Sequence, residues 1–166
     1  MFTRMCMHKY RDLLLIELPF YAVLVFLTTK FITTLYILIH NTMESEQWSY
    51  SLIFRNQNIV KNFENILSPI ILSPLFETLF FCVLLYRLCK KIKITNVYFI
   101  FVSGAVLGAY HLLKDSSGWY TFSYTFVAGL VFAYCYNKQN NKHGENKAYI
   151  FTSFVHALGN GLNIYI

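Results

Sequence analysis

The chain has 166 residues, of which 56% are hydrophobic, 19% aromatic and only 13% charged, and its mean hydropathy is +0.44. That balance excludes an ordinary water-soluble domain, which needs polar residues to cover its outer face, and makes lipid part of the solvent. The formal net charge of +6 does not point to nucleic acid, because the basic residues sit in short clusters between apolar runs and form no continuous basic face.

Five stretches are long enough to cross a bilayer, which takes roughly 20 apolar residues as a helix. A tail with Arg4, Lys9 and Arg11 leads into the first, Leu13 to His40, whose apolar run is too long for a signal-peptide core and reads as a retained span. It contains Glu17, Pro19 and Lys30, which predict a tilt or a kink at Pro19. Asn41 to Asn65 is a polar loop of mixed charge, with Trp48 and Tyr50 suited to an interfacial position. The second span runs from Ile66 to Cys89, with Pro69 and Pro74 in its first half and Glu77 near its midpoint. The third runs from Val97 to Leu113, the fourth from about Trp119 to Tyr136, and the fifth from Ala148 to Ile166.

The expected fold is therefore an all-α integral membrane protein, a bundle of about five transmembrane helices. Residues 1–65 form an N-terminal helix and polar loop, and residues 66–166 form the core. Short cytoplasmic loops collect Lys and Arg. Such residues cluster in the N-terminal tail, after span two (Arg87, Lys90, Lys91, Lys93) and after span four (Lys138, Lys142, Lys147), which puts the N-terminus in the cytoplasm. The four cysteines (Cys6, Cys82, Cys89, Cys135) have no C-x-x-C spacing and suggest neither a zinc knuckle nor a disulfide framework.

A carboxylate in the middle of an apolar helix is costly unless partnered, so it faces the bundle interior. Glu77 is such a residue, and no basic residue lies nearer in sequence than Arg87. Its partner has to come from another helix. The candidates are His111 late in the third span, and His156, Asn160 and Asn163 in the fifth. His156 and Asn160 share a helix face at a spacing of four. Gly104, Gly108 and His111 fall at i, i+4 and i+7, so the histidine shares its stripe with glycines that admit a close neighbour. One tension is depth: His111 is about 6 Å from the outer end of its span, against about 16 Å for Glu77. The aromatic side chains of Tyr98, Trp119, Tyr120 and Tyr149 read as interfacial anchors.

In chain order, Pro74-Leu-Phe-Glu77-Thr78 resembles the P-x-x-E-E motif of the CPBP family of intramembrane endopeptidases, which includes the type II CAAX prenyl endopeptidases. Leu107-Gly-Ala-Tyr-His111 resembles its F-x-x-x-H motif, Phe126-Val-Ala-Gly129 its F-x-x-G, and His156-Ala-Leu-Gly-Asn160 its closing H-x-x-x-N. Each motif is weak alone, but all four fall in order, one per expected helix. The family pattern E-E-x-x-x-R is broken here, with Thr78 at the second glutamate, Cys82 at the arginine, and Leu107 where phenylalanine is usual.

The resemblance implies a catalytic set of Glu77, His111, His156 and Asn160. In the family the first glutamate and the helix-three histidine activate water, and the final histidine and asparagine steady the oxyanion. It implies an intramembrane endopeptidase acting on a peptide or membrane-anchored protein, in a processing or C-terminal sorting role. A short chain rich in Lys, Asn and Ile suggests a prokaryotic member, multi-pass in the cytoplasmic membrane. No cofactor is expected. If zinc were present, its ligands would be Glu77, His111 and His156, but there is no H-E-x-x-H, and Asn160 suits hydrogen bonding better than ligation. The departures at Thr78 and Cys82 admit a second reading, a non-catalytic membrane binding or bacteriocin-immunity protein on the same fold. A small transporter would explain the intramembrane polar groups but not the ordered motifs.

Overall fold

The computed structural model describes residues 16–40, 67–114 and 118–165. Over these the chain forms five helices and no strand: α1 Leu18–His40, α2 Ser68–Lys91, α3 Asn96–Lys114, α4 Trp119–His143 and α5 Glu145–Tyr165. The basic N-terminal tail, Cys6 and the Asn41 to Asn65 loop with Trp48 and Tyr50 lie outside the described residues. The tail's share of the orientation argument and the boundary at residue 65 lie there with them.

Leu18–Leu35, Ser68–Lys91 and Asn96–Lys114 are each long and apolar enough to cross a membrane. Large apolar side chains on these helices, such as Phe20, Phe31, Phe80 and Phe101, point outward and are exposed, as lipid-facing positions must be. The interior combines large side chains such as Phe99, Phe132 and Tyr136 with small and hydroxyl-bearing residues, among them Thr29, Ser103, Thr121, Thr125, Thr152 and Ser153. Helices in lipid associate through such close packing and hydrogen bonding, because hydrocarbon supplies no hydrophobic drive between them.

α4 and α5 are as long but more polar, and they occupy the middle. α4 packs against each of the other four helices, and its Ala133, Cys135 and Tyr136 are fully buried, as is Val155 of α5. The α3–α4 contact is glycine against glycine: a Cβ on Gly129 would come within 2.9 Å of the Gly104 Cα, and one on Gly104 within 2.8 Å of the Phe126 carbonyl. The inward stripe of α3 thus faces α4, with Gly108 set against the Phe122 ring. Toward the other end of the same bundle, Tyr86, Phe99 and Tyr136 meet edge to face or tilted.

Several boundaries differ from expectation. The fourth segment does not end at Tyr136 but continues to His143, and a single residue, Gly144 at φ 84°, turns the chain into α5. Glycine holds that left-handed conformation without steric cost. Lys138 and Lys142 are therefore helical rather than loop residues, and both reach Glu17 at the start of α1, at 3.5 and 3.4 Å. Gln139 donates to the same carboxylate at 2.6 Å. Pro19 is the second residue of Leu18–His40 and directly follows a wider, π-type turn at Ile16 and Glu17.

At the opposite end α1 is held by Thr29 donating to Asn163 Oδ1 at 3.1 Å and by a 2.8 Å hydroxyl contact between Thr33 and Tyr120. Tyr120 thus joins two helices. Arg87 of α2 forks onto Glu145 at the head of α5, and that hydrogen bonding holds the Glu145 carboxyl below its usual range.

The glycine contact gives a direct test. Gly129→Val is expected to lower unfolding stability in detergent by about 1–3 kcal/mol, because the nearest obstructing atom, the Gly104 Cα, is backbone and cannot rotate away. Gly161→Ala, whose Cβ would meet nothing within 4 Å, serves as the control and is expected to leave the midpoint unchanged. Equal midpoints for both variants would contradict the α3–α4 packing.

Candidate active site

α2 is the irregular helix, and its irregularity positions the site. Ser68–Leu72 and Leu79–Leu84 are wider, π-type turns flanking the α-helical Ser73–Thr78. In the first of them the Ser73 N–H reaches back five residues to the Ser68 carbonyl. The next bond in that register would run from residue 74 to the carbonyl of residue 69, but Pro74 has no N–H to give. The Pro69 carbonyl is therefore left without its backbone donor, and Asn160 Nδ2 of α5 supplies one at 2.8 Å.

The difference in depth expected for Glu77 and His111 does not keep them apart: Glu77 Oε2 lies 3.5 Å from His111 Nε2, and α3 continues through Lys114. π-type turns are frequent at functional sites, and the one at Ser68–Leu72 contains Pro69 and is followed by Pro74.

Glu77 is buried, and its Oε2 lies 3.5 Å from His111 Nε2 and 3.5 Å from His156 Nε2. Its other oxygen, Oε1, accepts from the Ser73 hydroxyl one helical turn earlier. Three helices thus contribute to one carboxylate. His156 is nearly inaccessible, and its ring is stacked on Phe132 of α4 with centroids 4.1 Å apart. His111 is more open, with 22% of its side chain exposed against 6% for His156. It is the more accessible of the two imidazoles. Beside it, Tyr110 lies edge-on to the His111 ring and 5.4 Å from Phe81.

The structure brings together Glu77, His111 and His156. It sets Asn160 on the same face of α5 as His156, but engaged with the Pro69 carbonyl rather than with Glu77. An amide NH₂ carries two donors, so this contact uses one and leaves a second. Asn163 serves the α1–α5 seam, accepting from Thr29 and donating to the Gly159 carbonyl. Tyr149 donates to the Leu75 carbonyl at 3.2 Å, which ties α5 to α2, whereas Tyr98 and Trp119 are outward and exposed.

Sequence reasoning did not single out Ser73. Its signal was available in the i, i+4 spacing to Glu77, which places a hydroxyl within reach of a carboxylate on one helix face.

Behind the carboxylate lies a small cavity with room for about one water. It is lined by Glu77, Thr78, Cys82, Ser103, Gly129 and His156, among others. Among the described residues, no group of three or more His, Cys, Asp or Glu side chains is arranged to hold a metal ion. One Glu77 oxygen is already committed to Ser73, and Cys82, Cys89 and Cys135 are free thiols.

A family model described as Type II CAAX prenyl endopeptidase Rce1-like matches residues 60–162. No curated protein and no solved structure matches the chain.

The Asn160 contact predicts a coupled pair of variants. Asn160→Ala leaves the Pro69 carbonyl unpaired in an apolar setting and is expected to cost about 1–3 kcal/mol of unfolding stability. Pro74→Ala restores a backbone N–H in the right register, so the double variant is expected to lose less than the sum of the two single losses. Additive losses would contradict the proposed origin of the free carbonyl.

Proposed function

The chain belongs to the type II CAAX prenyl endopeptidase Rce1-like family, and from that premise we propose that Glu77 is the general base of an intramembrane peptide hydrolysis in which no metal takes part. One observation carries this reading: a single buried carboxylate oxygen lies 3.5 Å from the Nε2 atoms of both His111 and His156. Contacts of that length tighten when substrate and water complete the site.

In the proposed cycle, a water held beside the more accessible His111 gives a proton to Glu77, and its oxygen adds to the scissile carbonyl carbon. His156 Nε2–H and the remaining amide hydrogen of Asn160 donate to the oxyanion, in a setting of low dielectric where such donors are most effective. The intermediate then collapses as the C–N bond breaks, and the proton on Glu77 passes to the leaving amine. Ser73 keeps Oε1 engaged, which leaves Oε2 as the basic oxygen. Phe132 fixes the plane of the His156 ring.

Membership of the family gives CAAX-type endopeptidase chemistry on a peptide or protein substrate in a membrane. The finer role we propose is processing or C-terminal sorting of a membrane-anchored protein, by a prokaryotic enzyme of the cytoplasmic membrane. Thr78 and Cys82 occupy the positions where the family carries glutamate and arginine. Both are buried and line the cavity behind Glu77, outside the contacts that hold its carboxylate. The chemistry proposed here needs neither of the absent charges.

The test uses purified protein in liposomes with two probes, a quenched fluorogenic farnesylated CAAX peptide and a membrane-anchored reporter. Glu77→Gln is expected to lower kcat by about 10³-fold or more while the protein stays folded and in the membrane. Cleavage is expected to survive treatment with a strong zinc chelator. Retained cleavage in Glu77→Gln would remove the base. Activity lost on chelation and restored by zinc would overturn the metal-free mechanism. If neither probe is cut by the wild type and the biological phenotype persists in Glu77→Ala and His156→Ala, the protein binds rather than cleaves.

A further inference from the structure

His156 poses a question that its ring chemistry makes specific. A neutral imidazole has one N–H and one bare nitrogen, and the group bonded to one nitrogen sets the state of the other. Nε2 faces Glu77. Nδ1 is buried and has no hydrogen-bond partner among the described residues. To present an N–H from Nε2 to the carboxylate and to a developing oxyanion, the ring needs a donor at Nδ1. Otherwise a buried acceptor is left unpaired, at a cost comparable to a lost hydrogen bond.

A second unspent group belongs to a residue that, like His156, lines the small cavity beside Glu77. Thr78 is 1% exposed, and its Oγ1 also has no partner. A threonine inside a helix ordinarily turns its hydroxyl back onto a carbonyl of the preceding turn, as Thr125 does onto the Thr121 carbonyl at 2.5 Å. Thr78 does not. Thr78 and His156 line one cavity, and that cavity has room for about one water. The other hydroxyl on its wall, Ser103, is already engaged, donating to the Phe81 carbonyl at 2.5 Å. Cys82, also on the wall, offers only a weak thiol donor.

We propose that Thr78 is a positioning residue: through one water in this cavity, it holds His156 in the Nε2–H tautomer. The water accepts the Thr78 hydroxyl proton in a hydrogen bond and donates to His156 Nδ1, so both orphaned atoms are satisfied and Nε2–H is aimed at the site. No bond is made or broken. The residue that departs from the family motif thereby keeps a role in the site, by a neutral relay. The consequence for catalysis rests on the endopeptidase reading; the tautomer itself does not.

The experiment is ¹⁵N NMR of histidine-labelled full-length protein in lipid nanodiscs, with the His156 resonances assigned by loss in His156→Gln. The wild type is expected to show a neutral His156 with the proton on Nε2 and a hydrogen-bonded Nδ1. Thr78→Val, which removes the hydroxyl at nearly constant shape, is expected to lose the hydrogen-bonded Nδ1 signature, and Thr78→Ser is expected to restore it. Ser153→Ala is the control, since the Ser153 hydroxyl is buried and unpartnered but is not among the residues lining the cavity. On the proteolytic assay, Thr78→Val is expected to lower kcat roughly tenfold, the effect of one lost hydrogen bond, with KM unchanged.

A wild-type proton on Nδ1, a Thr78→Val spectrum identical to the wild type, or a response to Ser153→Ala in place of Thr78→Val would each overturn the proposal. A tautomer that responds to Thr78 in a protein that cleaves neither probe would uphold the relay and reject the endopeptidase reading. Cleavage with an unresponsive tautomer would do the reverse.

Discussion

An ionisable carboxyl in hydrocarbon has to be answered by other side chains, and in this bundle the answer comes from two separate helices. Glu77 has no basic residue near it on its own helix, so the cost of placing it there, several kcal/mol if it were left alone, is met only when α3 and α5 bring imidazoles to it. The rest of the packing serves that convergence. α3 comes close enough through the contact of Gly104 with Gly129. α5 is carried by α4, braced by Thr29 against Asn163, and held close to α1 where a Cβ on Gly159 would meet Val25 at 3.1 Å.

The second element of the design is that α2 is not a uniform helix. Pro74 removes the donor that the wide turn would have used, and the exposed carbonyl of Pro69 becomes an attachment point for α5. The same stretch presents Ser73 and Glu77 one turn apart, so the carboxylate is fixed by a hydroxyl from its own helix and by imidazoles from two others. A site built this way has one oxygen restrained and one available. The two histidines also differ in access: one is stacked and sealed by Phe132, the other is open beside Tyr110.

Much of this was legible in the sequence, for a physical reason. Against an apolar background a lone Glu, His or Asn is conspicuous, and Glu77, His111 and His156 stood out on three separate helices as the polar side chains that the structure brings together. The glycine stripe on α3 was legible as a close-approach face for the same reason. What the sequence hid were features set by backbone register and by long-range contacts. Residue counts from the span ends left Glu77 and His111 at different depths, yet the structure sets them in contact. Asn160 read as an oxyanion donor, and its hold on Pro69 emerged only once the missing N–H of Pro74 was placed in an i→i−5 register. The helical course of Lys138 and Lys142 was masked by their polarity, which resembles that of a loop until Glu17 is seen to receive them.

The central claim is the convergence itself, and it is best measured where the lipid is present. Dipolar recoupling NMR in bilayers can report the separation between the Glu77 carboxyl carbon and the Nε2 nitrogens of His111 and His156. The account predicts about 4–5 Å for both, and a separation beyond about 8 Å to either, outside direct or single-water hydrogen-bond reach, would contradict it.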